Sequence, residues 1–168
     1  MPLSAFSRPL RVGDQLPDAG VAEVVHGRLI AGSARTLMGR GRIMLVGVVS
    51  AFGPICSGRH LPPFVHLAGE LRRGGVEQVY VVVPDSPWTT DRWADEQDPE
   101  RKLRWISDGN LAFGRAAGLC ADLSEHLMGR RLNRFLMIAR DGVVEALHRE
   151  PDGVDVTCTG AASLLRAA

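Results

Sequence analysis

Within Val49-Ser50-Ala51-Phe52-Gly53-Pro54-Ile55-Cys56-Ser57, a cysteine directly follows a β-branched, apolar run and opens a helical pattern. A thiol in the first turn of a helix meets unsatisfied backbone N–H groups and the positive end of the helix dipole, which favour the thiolate. The thiolate is the nucleophile of peroxide and disulfide chemistry, so Cys56 is the first candidate for a reacting atom. A buried structural cysteine is the competing reading, because free cysteine is among the residues most often buried. Arg134 leads the apolar run Arg134-Phe-Leu-Met-Ile-Ala139. A cation there needs an anion or water, and from the residues alone an exposed strand-end arginine competes with an anion-binding one. Cys158 lies in a polar, Gly- and Asp-containing stretch from which a loop could carry it to another sulfur. Cys120, in Gly118-Leu119-Cys120-Ala121, reads as a packing or loop thiol.

These residues must be held by a scaffold, and strand and helix signals alternate along the chain. Val21–Val25 and Arg28–Ala31 flank His26-Gly27 as a hairpin. Arg42–Val49 and Val76–Val83 have the apolar, β-branched character of strands buried on both faces. A helix is expected from about Cys56 to Arg73, with Leu61, Phe64, Val65, Ala68 and Leu71 on its inner face. Pro62-Pro63 should kink it or delay its regular start, and Gly74-Gly75 should end it. Further elements are a helix from Pro87 to about Gln97, a strand over Lys102–Ile106 and a short helix over Asn110–Gly118. A hairpin follows, Arg134–Ala139 with Val143–His148 around Asp141-Gly142, and a closing helix over Gly160–Ala168 with Leu164 and Leu165 inward. This order predicts an α/β three-layer sandwich around a central mixed sheet. Residues 1–11 are expected to form a flexible arm and 12–168 the domain.

The active-site segment and its surroundings resemble a known family. The peroxiredoxin stretch P-G-A-F-T-P-x-C-S-x-x-H-L-P-x-F aligns without gaps to Val49–Phe64, sharing Ala51, Phe52, Pro54, Cys56, Ser57, His60, Leu61, Pro62 and Phe64. Arg130-Arg131-Leu132-Asn133-Arg134-Phe135 is similar to the family's R-R-L-x-R-F. Asp141-Gly142, Glu150-Pro151-Asp152-Gly153 and Thr157-Cys158 follow at the family's intervals. The chain thus resembles the type-five, atypical two-cysteine peroxiredoxins from about Val12 to Ala168. The resemblance implies a thioredoxin-like fold, Cys56 as the peroxidatic cysteine, Arg134 as the arginine that steadies thiolate and peroxide, and Cys158 as the resolving cysteine. It implies a hydroperoxide or other small molecule as substrate, contacted by Phe52, Gly53, Pro54 and Ile55, and a thioredoxin- or glutathione-type reductant. It calls for no cofactor, and it suggests a homodimer in contact around Phe52.

Two positions depart from that pattern. Gly53 stands where the family carries a threonine whose hydroxyl orients the peroxide, and Val49 where it carries a proline that shields the thiolate. Three activities therefore stay open: a slow or specialised thiol peroxidase, different chemistry of Cys56 on a bulkier molecule with the same scaffold, and a non-catalytic redox sensor or binding protein.

Composition narrows the field further. A formal charge of +1 over 168 residues gives no electrostatic footprint for nucleic acid or anionic lipid. Three cysteines are too few and too odd in number for a disulfide scaffold. No apolar stretch suits a signal peptide or a membrane span, so the chain is expected in the cytoplasm. His60 and His66 lack further partners at metal-ligand spacing. Trp88, Trp93 and Trp105 read as packing or self-contact residues, and the acidic run Asp91–Glu100 as a solvated face.

Overall fold

The computed structural model describes residues 8–151 and 155–163. Asp152-Gly153, Leu164, Leu165, most of the expected N-terminal arm and the end of the expected closing helix lie outside the described residues. Nine strands and four α-helices are seen among the described residues: β1 (Gly20–Val25), β2 (Arg28–Ser33), α1 (Ala34–Met38), β3 (Arg42–Gly47), α2 (Pro62–Arg73), β4 (Gln78–Val83), α3 (Pro87–Gln97), β5 (Arg104–Ser107), α4 (Ala112–Ala116), β6 (Cys120–Asp122), β7 (Arg130–Leu132), β8 (Phe135–Arg140) and β9 (Val143–Arg149).

Seven strands form one sheet in the order β2-β1-β5-β4-β3-β8-β9, with β3, β4 and β5 parallel and the outer pairs antiparallel. Both faces of β3 and β4 are covered, as their continuous apolar sequence predicts. Met44, Val46, Val79 and Val81 pack beneath Phe64 and Ala68 of α2 and Trp93 of α3. Ile43, Leu45, Tyr80 and Val82 pack on the opposite side with Met38, Phe113 and Phe135. The mixed-sheet, three-layer expectation therefore holds, and the fold is thioredoxin-like.

Local chemistry accounts for the punctuation. His26 and Gly27 both take positive φ (49° and 74°), the geometry of the tight turn that matches strand twist in a two-residue hairpin. Ser86 accepts the backbone N–H of Thr89 and caps α3 ahead of Pro87. Pro62 and Pro63 occupy the first turn of α2, where their missing N–H groups cost nothing. The regular helix accordingly starts at Pro62 rather than Cys56, and Cys56–His60 forms a wider π turn closed by Leu61 N–H on the Cys56 carbonyl (3.1 Å).

Other differences come from short elements. The β6–β7 ladder and α1 carry too few residues for a periodic signal. Arg134 stands one residue before β8 rather than within it, and Ala161–Ser163 forms a single 3₁₀ turn where the closing helix was expected. At one end of the sheet Gly47, Phe135 and Arg149 are in register across β3, β8 and β9. A Cβ at Gly47 would stand 2.1 Å from the Phe135 ring, so only glycine lets that ring lie across the strand. The chain beyond these three residues builds the site.

Candidate active site

Cys56 leaves the end of β3 through the loop Val48–Gly53 and enters the first helical turn, where Ser57 N–H bonds the Gly53 carbonyl (2.8 Å). Its side chain is 2% exposed, and Arg134 Nη1 donates to Sγ at 3.0 Å. Arg134 is itself 3% exposed. Of the two readings left open by its sequence context, the exposed one does not hold, because the guanidinium is buried against the Cys56 sulfur. The same Nη1 lies 3.4 Å from His60 Nδ1, and His60 Nε2 lies 3.2 Å from the Thr159 carbonyl. Cys158 is the residue before Thr159, so a continuous line of polar contacts joins the two cysteine-bearing segments. The sulfurs themselves are not bonded to one another.

His60 is fully buried, with its ring edge-on to Phe64 at 5.9 Å. Burial first, and the Arg134 cation second, push its pKa down to about 4 from the usual 6.5. The neutral imidazole leaves Arg134 as the cation beside Cys56. The stability consequence follows from linkage: the unfolded chain binds this proton below pH 6.5 and the folded chain only near pH 4. His60 thus contributes fully above pH 6.5, and about 3 kcal/mol is lost on acidification between those values. Denaturation midpoints measured from pH 7 to 4.5 should fall with pH in the parent and fall less in His60→Gln. Equal slopes in the two proteins would contradict the buried neutral imidazole.

A cavity of about 270 Å³ opens onto Cys56 and Arg134, lined also by Val49, Gly53, Pro54, Ile55, Leu123 and Met128, with His126 at its exposed side. Gly53, Pro54 and Ile55 stand where the sequence placed them. Phe52 does not line this cavity: it adopts φ of 58°, is 46% exposed, and its ring tilts against Trp93 at 6.3 Å. Leu123, His126 and Met128 come from the β6–β7 connection, which the sequence gave no reason to bring near Cys56.

Arg131 and Asp85 fasten the cavity's walls to one another. Arg131 Nε donates to the Met128 carbonyl (2.9 Å) and Nη1 to Asp85 Oδ1 (3.1 Å), while Asp85 Oδ2 accepts Ala51 N–H (2.9 Å). No serine replaces the missing threonine hydroxyl. Ser50 Oγ donates to the Ala51 carbonyl (2.9 Å), and Ser57 Oγ accepts from Trp93 Nε1 (3.0 Å). Cys120 stands apart at the start of β6, its thiol pKa raised by burial and by Asp108.

Cys158 sits on the segment after β9, its thiol donating to the Arg149 carbonyl at 3.4 Å. Burial and the Glu150 carboxylate raise its pKa. Glu150 is fully buried. Desolvation opposes its ionisation, but hydrogen bonds from Thr157 and Thr159 outweigh it and hold the carboxylate at about 2.

A buried thiol gripped by a buried guanidinium at the mouth of a small cavity, on a thioredoxin-like sheet, defines a cysteine-based redox protein. The redoxin family model matches residues 11–165, and the chain belongs to that family. Within it the chain is a peroxiredoxin, the thiol-dependent peroxidase branch. It is 32% identical over 160 residues to Peroxiredoxin-2C of Oryza sativa subsp. japonica, covering 95% of this chain and 98% of that one. It is 34% identical over 163 residues to the chloroplastic Peroxiredoxin-2E-2 of the same organism, covering 94% and 72%. The crystal structure of reduced Prx3 in complex with H₂O₂ from Vibrio vulnificus superposes with a TM-score of 0.86 at 28% identity, covering 94% of this chain and 95% of that one. No helix among the described residues is long and apolar enough to cross a membrane.

Proposed function

We propose that Cys56 reduces hydroperoxides and that Cys158 resolves the product within the same chain, in the manner of the type-five subfamily. The observation that carries this reading is the 3.0 Å contact from Arg134 Nη1 to Cys56 Sγ inside the cavity. The thiolate attacks one oxygen of ROOH. An S–O bond forms, the O–O bond breaks, and the departing alkoxide takes a proton to leave as ROH. Arg134 offers fixed donors to the sulfur and to the negative charge that grows on the departing oxygen. Cys56 becomes a sulfenic acid, two electrons oxidised. The Cys158 thiol then gives up its proton and attacks that sulfur; an S–S bond forms and hydroxide leaves, protonated, as water. A dithiol of the thioredoxin type, or glutathione, returns both sulfurs to thiols by exchange.

The apolar wall of Val49, Pro54, Ile55, Leu123 and Met128, with open space at Gly53, favours an organic hydroperoxide over the smaller hydrogen peroxide. Pairing of two copies beside the exposed Phe52 belongs to this reading, as does a reducing compartment such as the cytoplasm, which suits the free thiols.

The test is single-turnover mixing of the reduced protein with hydrogen peroxide and, separately, cumene hydroperoxide, followed by mass analysis of the quenched peptides. The parent should pass through a sulfenic acid at Cys56 to a Cys56–Cys158 disulfide. Cys158→Ser should stop at the sulfenic or sulfinic acid, and Cys56→Ser should not react. A parent that stays reduced at modest excess of both peroxides would overturn the proposal.

A further inference from the structure

Resolution requires the two sulfurs to meet, which needs Cα atoms within about 7 Å. Five hydrogen bonds tie the segment that carries Cys158 to one side chain, beside the contact of His60 with the Thr159 carbonyl. Glu150 Oε1 accepts the backbone N–H groups of Thr157 (2.7 Å), Cys158 (2.9 Å) and Thr159 (2.9 Å), together with the Thr159 hydroxyl (2.7 Å). Its other oxygen, Oε2, accepts the Thr157 hydroxyl at 2.5 Å. Five donors on one buried carboxylate are charge-assisted bonds, roughly twice as strong as neutral ones. Glu150 is anchored in turn, since its N–H bonds the Arg134 carbonyl (3.0 Å) and its carbonyl accepts Asn133 Nδ2 (3.0 Å). The clamp is therefore built onto the short stretch that also positions the catalytic guanidinium.

In this arrangement Cys158 Sγ bonds the Arg149 carbonyl, while Cys56 Sγ bonds Arg134. The His60 ring and Thr159 occupy the line of contacts that joins the two segments. Attack by Cys158 needs its thiol to leave the Arg149 carbonyl, and the bonds to Glu150 hold the backbone that carries it in place.

We propose that Glu150 is a positioning residue that latches Cys158 away from Cys56 and so sets the rate at which the disulfide closes. The inference rests on the reading of Cys158 as the resolving cysteine. Its chemistry is the condensation already written: the sulfenic acid and the Cys158 thiol give the disulfide and water. The latch fixes how long the sulfenic acid waits, and a waiting sulfenic acid meets further peroxide and goes to the sulfinic acid.

The experiment compares the full-length parent with Glu150→Gln and Thr157→Val. Gln keeps a carbonyl acceptor but removes the charge, and Val keeps the shape of Thr157 but removes the Oε2 partner. Each is oxidised by one equivalent of peroxide, and the disulfide is timed by acid quench and mass analysis, alongside the sulfinic fraction at high peroxide. Glu150→Gln should close the disulfide about tenfold faster, the effect of weakening the clamp by one charged hydrogen bond. Thr157→Val should shift the rate in the same direction by less, and both should accumulate less sulfinic acid. General damage to the fold would also slow the first step, oxidation of Cys56, so faster closure beside a parental first step separates a latch from a structural role. A parent that forms no Cys56–Cys158 disulfide overturns the role of Cys158 and this inference with it. A parent that forms it, while both variants close no faster, overturns the latch alone.

Discussion

Gly53→Thr should accelerate oxidation of Cys56 by hydrogen peroxide by about 10²–10³, the size of effect seen when one fixed donor at a developing charge is gained or lost. The backbone admits the side chain. A Cβ at Gly53 would lie 3.4 Å from the Ser50 carbonyl oxygen, 3.6 Å from Cys56 Sγ and 3.7 Å from Ser50 Cβ, all ordinary contacts. Gly53 is also absent from the positive-φ glycines, so a β-branched residue brings no backbone strain. The threonine hydroxyl would then sit beside the sulfur, where the serines on either side are already engaged with Ala51 and Trp93. Stiffening of the loop adds to the gain by holding the reacting geometry. Stopped-flow oxidation of the parent and the variant reads the result, with cumene hydroperoxide run in parallel. The benefit should be smaller for the bulkier peroxide, because the new methyl group fills space that substrate now uses. An unchanged rate with hydrogen peroxide would show that the missing donor is not what limits this site.

The second large effect belongs to Arg134. Arg134→Met keeps much of the aliphatic volume and removes the guanidinium whose Nη1 touches both Cys56 Sγ and His60 Nδ1. Oxidation by either peroxide should fall by about 10²–10³, equivalent to roughly 2.7–4 kcal/mol of lost transition-state stabilisation. Arg134→Lys should recover only part of it, because an ammonium is a point charge without the planar fork that reaches two groups at once. His60 supplies an independent readout. Burial is the larger cause of its depressed pKa and the Arg134 cation the second, so removing the cation should let it rise from about 4 partway toward 6.5, measured by NMR titration. A Met variant that oxidises at the parental rate would remove Arg134 from the mechanism.

Sequence carried the strands and the placing of Cys56 well. Arg42–Gly47 and Gln78–Val83 were readable because a continuous β-branched run buried on both faces has few other homes. Cys56 was readable because its neighbours match a family stretch in register. What was not readable depends on distant chain coming together. Leu123, His126 and Met128 face the cavity only because the short β6–β7 ladder folds their connection back over Cys56. Glu150 was visible as part of a motif, but its clamp exists only once Thr157 and Thr159 return to it. Arg134 gave two readings until its burial decided between them. The paired prolines signalled a delayed helix, whereas the π turn that fills the delay has no compositional mark. Phe52 shares the family stretch and yet packs on Trp93, which its position in the sequence could not reveal.

The row formed by Gly47, Phe135 and Arg149 has a consequence for the order of events in the life of the chain. Cys56 follows the first of these residues, Arg134 precedes the second and Glu150 follows the third. The nucleophile and its cation are 78 residues apart in sequence, so the pair is a long-range contact of the kind that forms late. At synthesis rates of about 5–20 residues per second, roughly 4–16 s separate the making of the thiol from the making of its arginine. Until β8 docks beside β3, the Cys56 sulfur lacks its contact with Arg134. On the proposed mechanism, it is therefore the closing of the sheet that completes the site.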